Sequence, residues 1–247
     1  MYEPLMEFIK KESADTDIFC FQEVFRGAKD IVSNGMRMDT FENLVELLPD
    51  FDAYFTAIFE RHDFSKTVNF AVTEGTAIFV KKSIPIIIHG SQFIYGVYND
   101  IVVHDKAIDI PVAAHYIHFE NNNQSYFLTH LHGLPFPPDK LDCPGRLEQS
   151  RNIINFLNQQ TGSKILCGDF NLLPDTESIK MIEKSGMRNL IGEFNIKTTR
   201  SASNFKKYPD SPQYFADYMF VSPELNIKKF SVPQLEISDH LPMILEF

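Results

Sequence analysis

The chain has no tryptophan, only three cysteines, no excess of positive charge and no long hydrophobic run, and each shortage narrows what it can be. Cys20, Cys143 and Cys167 are odd in number and lack metal-ligand spacing. A disulfide framework and a zinc-finger pattern are excluded, and a reducing, cytoplasmic setting is expected. Lysine and arginine number 23 against 33 aspartates and glutamates, a formal net charge of -10. Such a chain has no broad basic face for nucleic acid or an anionic membrane, so a phosphate-bearing ligand would need metal ions and local basic loops to offset the protein's own field. Glu3, Glu7, Lys10, Lys11 and Glu12 interrupt the opening segment, which is neither a signal sequence nor a membrane span, and no later run is long enough to span. Without tryptophan, base stacking would fall to the loop aromatics Phe64, Phe136 and Tyr208. Repeats, linkers and low-complexity segments are also missing. At 247 residues and 44% hydrophobic content, residues 1–247 are expected to form one soluble, monomeric domain.

What is present is a regular succession of apolar runs. Leu5, Phe8 and Ile9 form one stripe, which predicts a helix over Tyr2–Glu12 covering a sheet. Residues 17–21 read as a strand that is apolar on both faces and therefore interior, ending in Gln22-Glu23. Phe41, Leu44, Val45 and Leu48 predict a helix stopped by Pro49. Strands are expected at 51–59, 74–80, 84–88, 93–103, 113–119 and 125–130, with Asn121-Asn122-Asn123 as a hairpin turn, so pairing is largely antiparallel. Residues 26–38 and 204–212 read as polar loops. Thr129-His130-Leu131-His132 leads into a proline-rich loop at 135–144 and a helix at 146–160. A buried strand then ends in Gly168-Asp169-Phe170-Asn171, followed by helix-start chemistry at Pro174, Asp175 or Thr176, and Glu177, with Gly186 as terminator. Asp217 interrupts the apolar run at 215–221 and needs a partner or a strand end. The chain closes through Ser238-Asp239-His240.

Each polar strand end has an ordinary explanation when taken alone. Glu23 reads as a solvated terminus, a strand histidine as a hydrogen-bonded core residue, and Asp169 with Asn171 as turn caps. Taken together, Gln22-Glu23, Thr129-His130-Leu131, Gly168-Asp169-Phe170-Asn171 and Ser238-Asp239-His240 form one ordered set beside apolar runs. In this the sequence resembles the endonuclease/exonuclease/phosphatase superfamily over nearly its whole length. The resemblance implies a four-layer α/β sandwich, with two mixed, largely antiparallel sheets packed face to face and helices outside. It also implies a metal-dependent phosphoric ester hydrolase. Glu23 and Asp239 match the metal-binding acids, for Mg2+ or Mn2+. Asp169, Asn171, His130 and His240 match catalytic positions, Asp217 matches the acid that orients the closing histidine, and Glu74 is matched to the acid that orients His130.

By that resemblance, Asp169 would orient or deprotonate water, Asn171 would donate to the phosphorus centre, and His240 would act as base or clamp. His130 would bind the phosphate or protonate the leaving group, while His132 would line the entrance. The family's first central strand, ending in an asparagine beside the metal, has no counterpart before the first helix. A sheet lacking that strand is therefore expected, and an upstream strand ending in Asn would raise stability and metal-dependent rate. The expected activity is nuclease-like hydrolysis of a phosphodiester. The alternatives are a phosphatase or sphingomyelinase-like enzyme on a soluble or lipid phosphate, and a catalytically silent binding module.

Overall fold

The computed structural model describes residues 2–104, 107–207, 209 and 213–247. In chain order it comprises α1 (Tyr2–Glu12), β1 (Ile18–Arg26), a small hairpin of β2 (Val32–Ser33) and β3 (Met36–Arg37), α2 (Thr40–Leu47), β4 (Phe51–Glu60), β5 (Thr73–Lys81) and β6 (Ile86–Tyr95). A second hairpin of β7 (Val102–His104) and β8 (Ala107–Asp109) precedes β9 (Val112–Asn121), β10 (Gln124–His132), α3 (Pro144–Asn158), β11 (Ser163–Asp169) and α4 (Glu177–Lys184). The remainder is β12 (Arg188–Asn189), α5 (Leu190–Glu193), α6 (Ala202–Lys207), β13 (Asp217–Val221), β14 (Lys229–Ser231) and β15 (Ile244–Glu246).

A three-stranded sheet, in the order β1-β5-β4, faces a six-stranded sheet in the order β12-β13-β11-β10-β9-β6. Among the described residues only β10 and β11 pair in parallel within them. The central strand β5 shows why the layers form: Ile78 and Val80 enter the core shared with the larger sheet, whereas Ala77 and Phe79 lie under Ile9 of α1 and Phe41 and Leu44 of α2. Period-two alternation therefore gives β5 one face to each layer. On the far side, Ile153, Phe156 and Leu157 of α3 and Ile179 and Ile182 of α4 join the larger core. The mixed α/β sandwich expected from the resemblance is present. No described helix is long and apolar enough to cross a membrane.

Several local expectations are corrected. β1 is an edge strand among the described residues, not an interior one. Its run is apolar on both faces because Ile18 and Cys20 pack between the sheets while Phe19 and Phe21 pack toward α1 and α2. Covered faces do not require two hydrogen-bonded neighbours. The strand expected at 84–88 and the first residues of the one expected at 93–103 are one strand, β6, because His89-Gly90-Ser91-Gln92 is tolerated at a sheet edge and Gly90 leaves room for the Tyr116 ring; residues 96–101 are not strand, and 102–103 belong to β7. Residues 26–38 contain the β2–β3 hairpin, turned by Asn34 and Gly35, both at positive φ. The polar loop at 204–212 begins inside α6, and Tyr208 with most of the rest lies outside the described residues. The turn at Asn122-Asn123 has both residues at positive φ, as a two-residue hairpin asks.

Candidate active site

Strand register assembles the first half of the site. β10 and β13 flank β11, and the pairing places His132 opposite Asp169 and Asp169 opposite Asp217, all at one end of the larger sheet. The approach of β10 to β11 depends on Gly168. Its φ is 139°, and a Cβ there would lie 2.0 Å from the Leu131 carbonyl oxygen. Beyond Asp169 the chain turns through Asn171, held at φ 55°, where its backbone N–H donates to Asp169 Oδ1 at 2.6 Å and its Nδ2 donates to the Gly133 carbonyl at 2.8 Å. A non-glycine residue in the left-handed region persists only where its surroundings fix it, and such residues gather at functional sites.

The closing turn is tied to the same end. Leu241 N–H donates to the Thr199 carbonyl at 2.8 Å, and Ser201 N–H to the Asp239 carbonyl at 3.0 Å. His240 thereby lies with Nδ1 2.9 Å from both oxygens of Asp217 and Nε2 3.7 Å from Asp169 Oδ2. Asp217 has the partner its apolar strand demanded. Burial disfavours a charged His240, but Asp217 outweighs it and lifts the imidazole to about 9. Burial likewise pushes Asp169 up, yet His240, Arg200, Lys140 and His132 hold its carboxyl below the ordinary value. Asp169, Asp217 and His240 bring three ligand-type atoms within 4.8 Å of one another.

The three-stranded sheet supplies the other half. The β1–β5 register shifts between Phe21 and Val24, a bulge that sets Glu23 at φ 54° and turns it outward. Its side chain is 50% exposed, against 5% for Asp169, and reaches His132 Nε2 at 3.8 Å. His132 is thus buried and directed at Glu23. Glu74 is buried with neither carboxylate oxygen hydrogen-bonded, and burial together with Glu23 pushes its carboxyl well above the ordinary range. The pairing of Glu74 with His130 is not seen. His130 Nε2 lies 2.7 Å from the Gln22 amide nitrogen, its Nδ1 has no partner, and burial keeps the ring neutral. An amide N–H can only donate, so Nε2 accepts and cannot also face a carboxylate.

Two cations that sequence reasoning missed enter the site from loops. Arg200, 6% exposed, contacts His240 Nε2 through Nη1 and lies 3.7 Å from Asp239 Oδ2 and 3.9 Å from Asp169 Oδ2. Lys140 turns its ammonium onto Asn171 Oδ1, and burial lowers it to about 8 despite Asp169 nearby. The loop carrying Lys140 is rigidly anchored. The fully buried Arg146 donates to the carbonyls of Leu134, Pro135, Pro137 and Leu141, and the Leu173 N–H donates to the Lys140 carbonyl at 2.9 Å. Asp142 of the same loop caps α4, accepting from Glu177 N–H at 2.6 Å and Ser178 N–H at 2.9 Å, a task assigned from sequence to Asp175 or Thr176.

Residues 2–240 match the model of the Endonuclease/Exonuclease/phosphatase family. The chain belongs to this family. It is therefore a phosphoester hydrolase by class. Solved structures share the fold at low identity. A Leptotrichia buccalis family protein is 20% identical, with a TM-score of 0.70 over 99% of this chain and 93% of the other. A mannosyl-6-phosphatase of Bacteroides thetaiotaomicron is 19% identical, with a TM-score of 0.67 over 100% and 90%. A truncated Caenorhabditis elegans TDP2 is 14% identical, with a TM-score of 0.61 over 98% and 90%. Among curated protein sequences none matches.

Proposed function

We propose that the protein hydrolyses a phosphoester with the help of a divalent ion, Mg2+ or Mn2+, at the end of the two sheets where Glu23, Asp169 and His240 meet. The observation that carries this reading is the joining of Asp169, Asp217 and His240 by strand register and a 2.9 Å hydrogen-bonded pair. The residues on the Glu23 side fit a hard cation. Glu74 is a buried carboxyl without a hydrogen-bond donor, beside a second carboxylate that projects outward, and a bound cation would offset both. Glu23 and Asp239 would hold the ion, which would neutralise phosphate charge and stabilise the leaving oxygen.

The chain's own groups do the rest. Asp169, held as a carboxylate by the cations around it, orients the attacking water and accepts its proton. Asp217 holds His240 by Nδ1, which aims Nε2 at the space before Asp169. Asn171, its amide fixed between Lys140 and Gly133, offers its remaining N–H to the phosphoryl oxygens. His130 is wholly buried and engaged with Gln22, so it serves as a positioning residue and does not touch the substrate.

The sequence favoured a nuclease-like phosphodiesterase. The formal net charge of -10 supports a small phosphorylated substrate instead, because an acidic chain without a broad basic face repels a polyanion crossing the site. The test is to compare p-nitrophenyl phosphate, bis(p-nitrophenyl) phosphate and duplex DNA, each with Mg2+. Turnover of a small ester and none of DNA supports the reading. Efficient DNA cleavage returns the nuclease assignment, and turnover of none of the three overturns the small-ester reading.

A further inference from the structure

Arg200 and Lys140 both reach the neighbourhood of Asp169 from loops. Arg200 is a buried guanidinium whose Nε has no hydrogen-bond partner among the described residues. Its two Nη atoms meet no carboxylate at hydrogen-bond distance: Asp239 stands at 3.7 Å and Asp169 at 3.9 Å. A buried guanidinium ordinarily finds a bidentate anion, and leaving its donors unmet is costly. Here its near neighbour is His240 Nε2, a ring nitrogen that gives the guanidinium no anion. The segment that carries it is stitched to the His240 turn, because Thr199 accepts from Leu241 and Ser201 donates to Asp239, so the guanidinium is placed by the backbone and not by an ion pair. Lys140 is drawn inward on a loop held by Arg146 and by Leu173, and its ammonium meets a neutral amide oxygen, with Asp169 as the nearby carboxylate. Two anchored cations that have carboxylates near them but none at hydrogen-bond distance keep donors free for the oxygens of a further anion.

We propose that Arg200 and Lys140 are the residues that grip the substrate's phosphate, Arg200 through its Nη atoms beside His240 and Lys140 from the side of Asn171. This rests on the phosphoester reading and adds to it the two groups that bind the phosphoryl oxygens before and during reaction. Arg200 touches the phosphate and is a catalytic residue. Lys140 has a second, positioning task, since its contact with Asn171 Oδ1 turns the amide so that Nδ2 faces Gly133 and the site.

The test is titration calorimetry of inorganic phosphate into the Mg2+-loaded protein, with steady-state kinetics on p-nitrophenyl phosphate alongside. The wild type binds phosphate. Arg200→Ala weakens that binding by about 10-fold or more, the worth of a charge-assisted hydrogen bond, and Arg200→Lys recovers part of the loss. Lys140→Met weakens it by several-fold and also lowers kcat, through Asn171. Arg188→Gln, which removes a pair with Glu193 and a hydrogen bond to the Leu225 carbonyl, both away from the site, leaves binding unchanged. If Arg200→Ala does not melt cooperatively, Arg200→Gln, which keeps a hydrogen-bonding arm without the charge, supplies the same comparison. A folded Arg200 variant with wild-type phosphate affinity and KM overturns the clamp while leaving the phosphoester reading intact. A wild type that binds no phosphate at millimolar concentration overturns both.

Discussion

At the end of the six-stranded sheet every acid is engaged, whereas at the facing end of the three-stranded sheet the acids stand without donors. Asp169 and Asp217 come from two adjacent strands, each covered on both sides, and are fixed by His240 and the Asn171 backbone. Glu23 comes from a bulge on an edge strand, and Glu74 is buried with both oxygens unpaired. The first arrangement is preorganised and stays as it is when empty. The second leaves a buried carboxyl unpaired beside another acid, which is costly unless something offsets it. Under the proposed function, the first half would handle the water and phosphate, and the charge of the second would be settled by the ion that binds.

The largest effects are expected on the engaged half. Asp169→Asn and His240→Ala each lose activity by ~100-fold or more while remaining folded, the usual worth of a positioned acid or base. Asp217→Ala loses less, and its effect is non-additive with His240→Ala because the two act as a unit. Additive losses in the double variant would separate the pair. On the other half the expected signature is in metal response more than in structure. Mg2+ raises the melting temperature of the wild type, and Glu23→Gln removes most of that gain together with the metal-dependent rate. An undiminished Mg2+ shift in Glu23→Gln would place the ion elsewhere, with the Asp169, Asp217 and His240 cluster as the next position to test.

How much of this was legible in the sequence follows the same division. Asp169, Asp217 and His130 announced themselves because each interrupts or ends an apolar run, and a polar side chain there must be explained. The ordering of those runs identified the family, and with it the sandwich. Arg200 and Lys140 gave no such signal. Both lie in polar tracts, Thr198-Thr199-Arg200-Ser201 and Asp139-Lys140, and what turns them inward is backbone pairing with Leu241 and Leu173, residues 41 and 33 positions away by their numbering. The edge position of β1 was hidden for a different reason. An apolar run reports what covers the two faces of a strand and says nothing of its lateral neighbours. His130 was matched to a phosphate or leaving-group role from its motif alone; its burial and its contact with Gln22, which support the positioning role proposed above, come only from the packed structure.

The smallest expected effect concerns Glu74 and stability. A carboxyl whose folded pKa is raised above its ordinary value of 4.5 costs the protein stability as pH rises from that value toward the folded pKa, because the unfolded chain releases its proton first. Glu74→Gln abolishes that loss, so in metal-free protein the melting temperature of the variant relative to wild type grows between pH 5 and pH 8, by ~2–4 °C for each kcal/mol recovered. Mg2+ should shrink the difference. A gap that is constant with pH would show that burial does not raise the Glu74 carboxyl in the folded protein, and one indifferent to Mg2+ would place the ion away from Glu74.

The most direct test of the central claim is the rate of p-nitrophenyl phosphate and bis(p-nitrophenyl) phosphate hydrolysis by wild type and Asp169→Asn, measured with Mg2+ and again with excess chelator. The account predicts turnover of at least one ester by the wild type with Mg2+, its loss in chelator, its recovery on adding Mg2+ back, and at least a ~100-fold deficit in Asp169→Asn under the same conditions. Full activity in chelator, or an Asp169→Asn enzyme as fast as wild type, would contradict it.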